Sequence, residues 1–205
     1  MTMATTTDSI ARRGHVPGTT PYPWPWNGVL DAERTAVLLV DALGAPPLDE
    51  VTARNAGVVV ATVRSAGAIG IRVVTREPRR ATPHPAPARM GGTDAAPPIP
   101  VDELISAVGV DGFFGSSLEA ALRARGIERI ILVGTWLETS VHSTMRTAND
   151  MGFECLLVAD ACAQLDAGIE RSSISMIEMS GGIFGAVGHT ADVVGTYAKA
   201  EGEPA

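Results

Sequence analysis

Lysine is almost missing from this chain of 205 residues: of its 16 basic residues, all but Lys199 are arginine. No lysine therefore stands anywhere between residues 1 and 198 to act as a fixed ammonium beside a reacting group. Cysteine is nearly as scarce. Cys155 and Cys162 are too few for a disulfide scaffold, which points to a reducing cytoplasmic compartment. No apolar run approaches the ~18 residues of a membrane span. Met1 to Ile10 is Thr-rich and has neither the basic nor the apolar region of a secretory signal. A basic stripe is also lacking, and 16 basic against 23 acidic residues leave a net charge of −7. That balance argues against nucleic acid and anionic membrane as partners. His15, His84 and His189 lack ligand spacing, so no metal is expected. No glycine-rich fingerprint follows a strand, so no nucleotide cofactor is expected.

What is present is enough apolar residue, 45%, for a sizeable core, with 19% charged. Residues 1–34 form an extended Pro/Trp-rich arm, in which Pro17, Pro21, Pro23 and Pro25 forbid helix. Tyr22, Trp24 and Trp26 interleave with them, and the arm either packs over the domain surface or docks on something else.

Beyond the arm, continuous apolar runs of strand length alternate with helical patterns. Strands are expected at Thr35 to Asp41, Gly70 to Thr75, Glu128 to Gly134 and Phe153 to Asp160. Leu104 to Val110 reads as a short strand or a helix tail, and Ala191 to Val194 as a final edge strand. Helices are expected over 49–66, Ser117 to Arg125, Glu138 to Met151 and, as the last long one, Ala167 to Ser180. Residues 77–100 hold seven prolines and the pair Gly91-Gly92, and read as a long loop. This alternation predicts an α/β fold: a three-layer α/β/α sandwich on a Rossmann-like parallel sheet of about six strands. Ligands in such sheets sit at the carboxyl ends of the strands, here at Asp41, Thr75 to Glu77, Gly134 to Glu138 and Asp160 to Cys162.

Four segments in order resemble the isochorismatase-like hydrolases, or cysteine hydrolases. They are Thr35-Ala-Val-Leu-Leu-Val-Asp41; Gly112-Phe-Phe-Gly-Ser-Ser-Leu118 with Leu122-Arg-Ala-Arg-Gly126; Ile131-Leu-Val-Gly134 through Ser143-Thr-Met-Arg146 to Asp160-Ala161; and Ser180-Gly-Gly-Ile-Phe-Gly185. Pro21-Tyr-Pro-Trp-Pro-Trp-Asn-Gly28 is similar to the arm of the ureidoacrylate and biuret amidohydrolase branch. The resemblance implies the family's fold over residues 35–198, with 199–205 a polar tail. It also implies a site built from an Asp, a Lys and a nucleophilic Cys, with a cis peptide and helix N–H groups holding the oxyanion.

The match carries over unevenly. The family's Asp falls on Asp41, its Cys on Ser140 and its Lys on Ala107. The polar residue two after the Asp is Leu43, and the Thr three after the Gly is Leu137. A serine hydroxyl without a base is a weak nucleophile, so the usual mechanism is not expected. His142 lies two residues past Ser140, about 200° round a helix, and reads as a packing or interface residue. Cys155 sits inside a strand as a core thiol, and Cys162 sits just past a strand end.

Two functional expectations follow. In one, Asp41 is the general acid or base on a small molecule, with Ser140 as hydrogen-bond donor. Trp24, Trp26, Leu43, Phe113, Trp136, Leu137 and Glu138 would line the pocket. Without a lysine, and with leucines around it, the Asp41 carboxyl would favour its protonated form. The reaction would cleave a C–N or enol-ether bond, or be a lyase, isomerase or cyclase step needing proton transfer alone. In the other, the chain is a catalytically silent partner of an active homologue, and Asp41 merely caps a loop or helix. An open cavity with Asp41 exposed in it favours the first. The resemblance also implies a homodimer or homotetramer, or a hetero-oligomer with a homologue. Met176, Ile177 and Met179 would serve either that interface or the core.

Overall fold

The computed structural model describes residues 11–77, 98–166 and 168–198. Its centre is a parallel sheet of six strands in the order β5-β4-β3-β6-β7-β8. These strands are β3 Thr35–Ala42, β4 Ile69–Thr75, β5 Glu103–Ser106, β6 Arg129–Thr135, β7 Glu154–Ala163 and β8 Ala186–Gly188. Parallel strands covered on both faces need apolar side chains on both. β3 supplies them: Ala36, Leu38 and Val40 face one side, Val37 and Leu39 the other.

The first face packs against α2 (Leu118–Ala124), α3 (His142–Asp150) and α4 (Glu170–Glu178) through Leu118, Leu122, Met145, Ala148 and Ile177. The second packs against α1 (Glu50–Ser65) and α5 (Thr190–Tyr197) through Ala56, Val59, Val60, Val63, Val193 and Tyr197. The result is the expected three-layer sandwich with a six-stranded sheet. α1 starts where Asp49 accepts hydrogen bonds from the Val51 and Thr52 N–H groups, both at 3.0 Å.

The arm joins the second layer. Arg12–Arg13 (β1) pairs antiparallel with Val29–Leu30 (β2), so the arm is not purely extended. Val16, Trp24 and Leu30 bury themselves against the α1 and α5 side, which favours packing over the domain surface. Thr20 bridges Val187 on the outer edge of β8 and covers that edge.

Three boundaries differ from expectation. Ala191 to Val194 belongs to α5 rather than to an edge strand; the edge is Ala186–Gly188, and Val193 turns into the α1 layer. α4 covers only Glu170–Glu178, and α5 follows it as the last helix. The helix expected from Glu138 opens instead with a π-helical turn, Leu137–Val141, before α3. Most of loop 77–100, and Lys199 with the tail, lie outside the described residues.

Gly134 holds the sheet together at its site end. Its φ is +123°, and a Cβ there would lie 1.9 Å from the Val40 carbonyl oxygen. Only glycine lets β6 run this close to β3 immediately before Asp41. Among the described residues, no helix is long and apolar enough to cross a membrane.

Candidate active site

Asp41 continues the Val37, Leu39 series and so points to the α1 side of the sheet. β4 lies beside β3 with Leu39 opposite Arg72 and Asp41 opposite Val74. Arg72 is therefore a diagonal neighbour of Asp41 on the same face. Its Nε donates to Asp41 Oδ2 at 2.9 Å, and its Nη2 donates to the same oxygen. The two side chains are 35% and 32% exposed.

They open into a cavity of about 300 Å³. Thr135 at the end of β6 lines it too, and Pro46, Pro47, Leu48 and Ile99 give it an apolar wall. The Thr135 hydroxyl accepts the Ala42 N–H at 3.0 Å, tying the end of β3 to β6. The Leu43 N–H donates to the Thr75 carbonyl at 2.7 Å and ties it to β4. Thr135 precedes Trp136 through a cis peptide bond. The arrangement is a half-open pocket with one carboxylate, one guanidinium and one hydroxyl at its polar end.

The other sequence-derived site residues go elsewhere. Ser140 is buried in the π-helical turn and does not line the cavity. Leu137 and Phe113 belong to the core on the opposite face, and Phe113 stacks on Phe153 at 6.1 Å. Trp136 is buried, with an indole N–H lacking a partner among the described residues. Glu138 accepts the Leu165 N–H at 2.8 Å and holds the loop after β7. Leu43 is exposed at the surface. Trp24 is wholly buried where the arm packs on the second layer. Trp26 is 73% exposed, and its N–H donates at 2.6 Å to Glu154, the first residue of β7, at the amino end of the sheet. Of the nine residues, Asp41 is the one that lines this cavity.

One premise is overturned. Asp41 is not left without a cation, because Arg72 stands where its charge reaches the carboxylate. Arg72 is the functional candidate that sequence reasoning missed, whereas Thr135 falls within the strand-end segment Gly134 to Glu138. A signal for Arg72 existed: it is the one charged residue in the apolar run Gly70 to Thr75.

The two thiols are unsuited to attack. Burial pushes Cys162 up to about 12 and drives Cys155 upward as well. A thiol so raised has almost no thiolate at neutral pH. His142 is also committed to packing. Its Nε2 accepts from Arg146 Nε at 3.1 Å, and burial, then the Arg146 charge, lowers its proton affinity. Among the described residues, no group of three His, Cys, Asp or Glu side chains gathers to hold a metal.

Comparison with known proteins gives the family and the fold. The profile of the Isochorismatase domain matches residues 31–192. The isochorismatase family protein YecD of Escherichia coli O157:H7 is 32% identical over 175 residues, 72% of this chain and 89% of that one. The ureidoacrylate amidohydrolase RutB of Variovorax paradoxus is 33% identical over 104 residues; the match spans 50% of this chain but only 40% of that enzyme. In fold, a cysteine hydrolase from Pseudomonas syringae pv. phaseolicola superposes with TM-score 0.65 at 21% identity, over 83% of this chain and 95% of that one. N-carbamoylsarcosine amidase from Thermoplasma acidophilum superposes with TM-score 0.57 at 20% identity, over 77% and 96%.

Proposed function

Because the chain belongs to the isochorismatase family, we propose that it acts on a small molecule in the Asp41 cavity, with Asp41 as general acid or base and no cysteine nucleophile. The single observation that carries this is the open cavity of about 300 Å³ with Asp41 and Arg72 at its polar end. A silent scaffold has no need to keep such a space unfilled. The relatives named as amidohydrolases favour C–N bond cleavage; enol-ether cleavage, or a lyase, isomerase or cyclase step, needs the same proton transfer. Ser140, in the turn that follows β6, does not line this cavity, so the reaction would rest on Asp41 without it. The protein would work in the cytoplasm as a homodimer or homotetramer, or beside a homologue, without nucleic acid or membrane.

A second reading has a specific support. Ser140, which the resemblance sets at the position of the nucleophile, does not line the cavity that Asp41 opens into. That arrangement suits a non-catalytic partner of an active homologue.

Native mass spectrometry of wild type and Asp41→Asn, each purified from the same lysate, separates the two. A small molecule converted by wild type but retained unchanged by Asp41→Asn supports the enzyme. A homologous chain co-purifying, with no ligand in either protein, supports the partner subunit and overturns the enzyme.

A further inference from the structure

α4 has two faces with apolar side chains, and only one of them meets the core. Ser173 and Ile177 are buried on the sheet side. Ile169, Met176 and Met179 turn to solvent, and Ile183 follows in the turn after the helix. Met179 is 75% exposed and Ile183 72%. Steps of seven and three residues keep Ile169, Met176 and Met179 in one stripe. Gly182 backs onto Tyr22, where a Cβ would lie 3.1 Å from the ring, and Tyr22 meets Trp26 edge to face at 5.2 Å. The exposed indole of Trp26 thus extends the stripe beyond the end of α4. Together these five side chains leave roughly 700 Å² of apolar surface in water, more than a monomer ordinarily keeps and close to what one partner gives to a standard interface. One flank of the stripe carries charge of both signs. Arg171 and Glu178 are seven residues apart and so share that flank. Among the described residues Arg171 has no ion pair; Glu178 Oε1 accepts from Thr20 Oγ1 at 2.5 Å, and its Oε2 has no partner.

We propose that a second copy of this chain covers the stripe, with α4 lying antiparallel on α4 across a two-fold axis. The inference gives the oligomer named above one face and one partner, and it does not depend on the chemistry of Asp41. An isologous contact needs a self-complementary surface, and this stripe is one. A two-fold axis across the helices, passing between Ile174 and Ser175, keeps each flank on its own side and reverses the direction. It sets Arg171 level with Glu178 of the partner subunit, and the symmetry makes that pair twice. Met179 comes level with the opposite end of the stripe, where Ile169 begins it. Ser172 and Ser175, exposed and small at the centre, let the two helices approach closely. Charge therefore fixes the antiparallel register, and the apolar side chains supply the buried area. A chain without this order of Arg171 and Glu178 leaves both charges unmatched, so the surface fits its own copy better than another partner.

Sedimentation equilibrium of the full chain over about 1 to 100 μM tests this. Wild type should sediment as a dimer or a larger even-numbered assembly. Met179→Glu places two like charges at the contact and should weaken self-association by about 100-fold or more, with circular dichroism unchanged because the side chain is exposed. Arg171→Glu and Glu178→Arg should each weaken it by about tenfold, and the double variant Arg171→Glu/Glu178→Arg should return to within about threefold of wild type. That recovery separates pairing between copies from the loss of the Thr20 contact, which the double variant also lacks. A monomeric wild type, self-association untouched by Met179→Glu, or no recovery in the double variant would each overturn the inference. So would a wild type that is monomeric alone and pairs only with a homologous chain. An oligomer insensitive to all these variants removes this face and leaves the oligomer itself standing. A dimer that behaves as expected but shows no Asp41-dependent turnover sinks the enzyme and keeps the interface.

Discussion

Asp41 and Arg72 stand on adjacent parallel strands, one diagonal step apart, and both guanidinium donors meet the same carboxylate oxygen. The cation comes from the middle of an apolar strand, in a chain with no lysine before residue 199. A guanidinium holds a carboxylate by two fixed donors where an ammonium offers a mobile point charge. The pair sits at the carboxyl end of β3, where an α/β sheet presents its ligands.

Arg72→Met should separate stability from function. Each member of the pair is about a third exposed, so losing it should cost no more than about 1 kcal/mol in a denaturant titration. Asp41-dependent turnover should fall by about 100-fold, because the carboxylate loses the group that orients it. A large loss of stability with turnover unchanged would make Arg72 a structural residue.

Gly134→Ala should be severe. A Cβ 1.9 Å from the Val40 carbonyl oxygen forces β3 and β6 apart, and φ +123° is unfavourable for alanine. We expect a loss of about 2–5 kcal/mol in urea unfolding. Wild-type stability in this variant would show that the close approach is dispensable.

Both thiols should be silent in the native protein. Ellman's reagent should modify Cys155 and Cys162 only after unfolding, since burial raises both. The double variant Cys155→Ala/Cys162→Ala should keep its turnover. Loss of turnover in a folded double variant would restore a cysteine mechanism.

Acid should find His142. Burial, then the Arg146 charge, lowers its folded-state value below the ordinary 6.5. The folded protein therefore binds fewer protons there than the unfolded chain, and stability falls as pH drops below about 6.5 toward the folded value. His142→Gln should flatten the stability profile in that window, as measured by melting temperature against pH. An unchanged slope would place the acid-sensitive group elsewhere.

Local sequence was enough for the strands of the core. Runs such as Thr35 to Asp41 and Glu128 to Gly134 are apolar on both faces, and only a strand between two helix layers can use them. Short apolar runs were ambiguous: Ala191 to Val194 suits a strand or a helix face, and packing against α1 decided for helix. The arm shows the same limit. Its prolines exclude helix, yet nothing local says that Trp24 turns into the core while Trp26 stays in solvent at the amino end of the sheet.

Sequence alone determined that this chain is a parallel α/β sandwich, that Asp41 ends a central strand, and that no lysine before residue 199 could join it there. Those are properties of composition and of a short periodicity. What tertiary structure decided was the company Asp41 keeps. Arg72 is 31 residues away along the chain. It reaches the carboxylate because the β3–β4 register sets Leu39 opposite it; a slip of one residue would turn it to the other face. Ser140, close to the same strand ends in sequence, was buried in the π-helical turn that follows β6. Register and the hand of each turn are set by the packing of the whole sheet, and no local pattern encodes them.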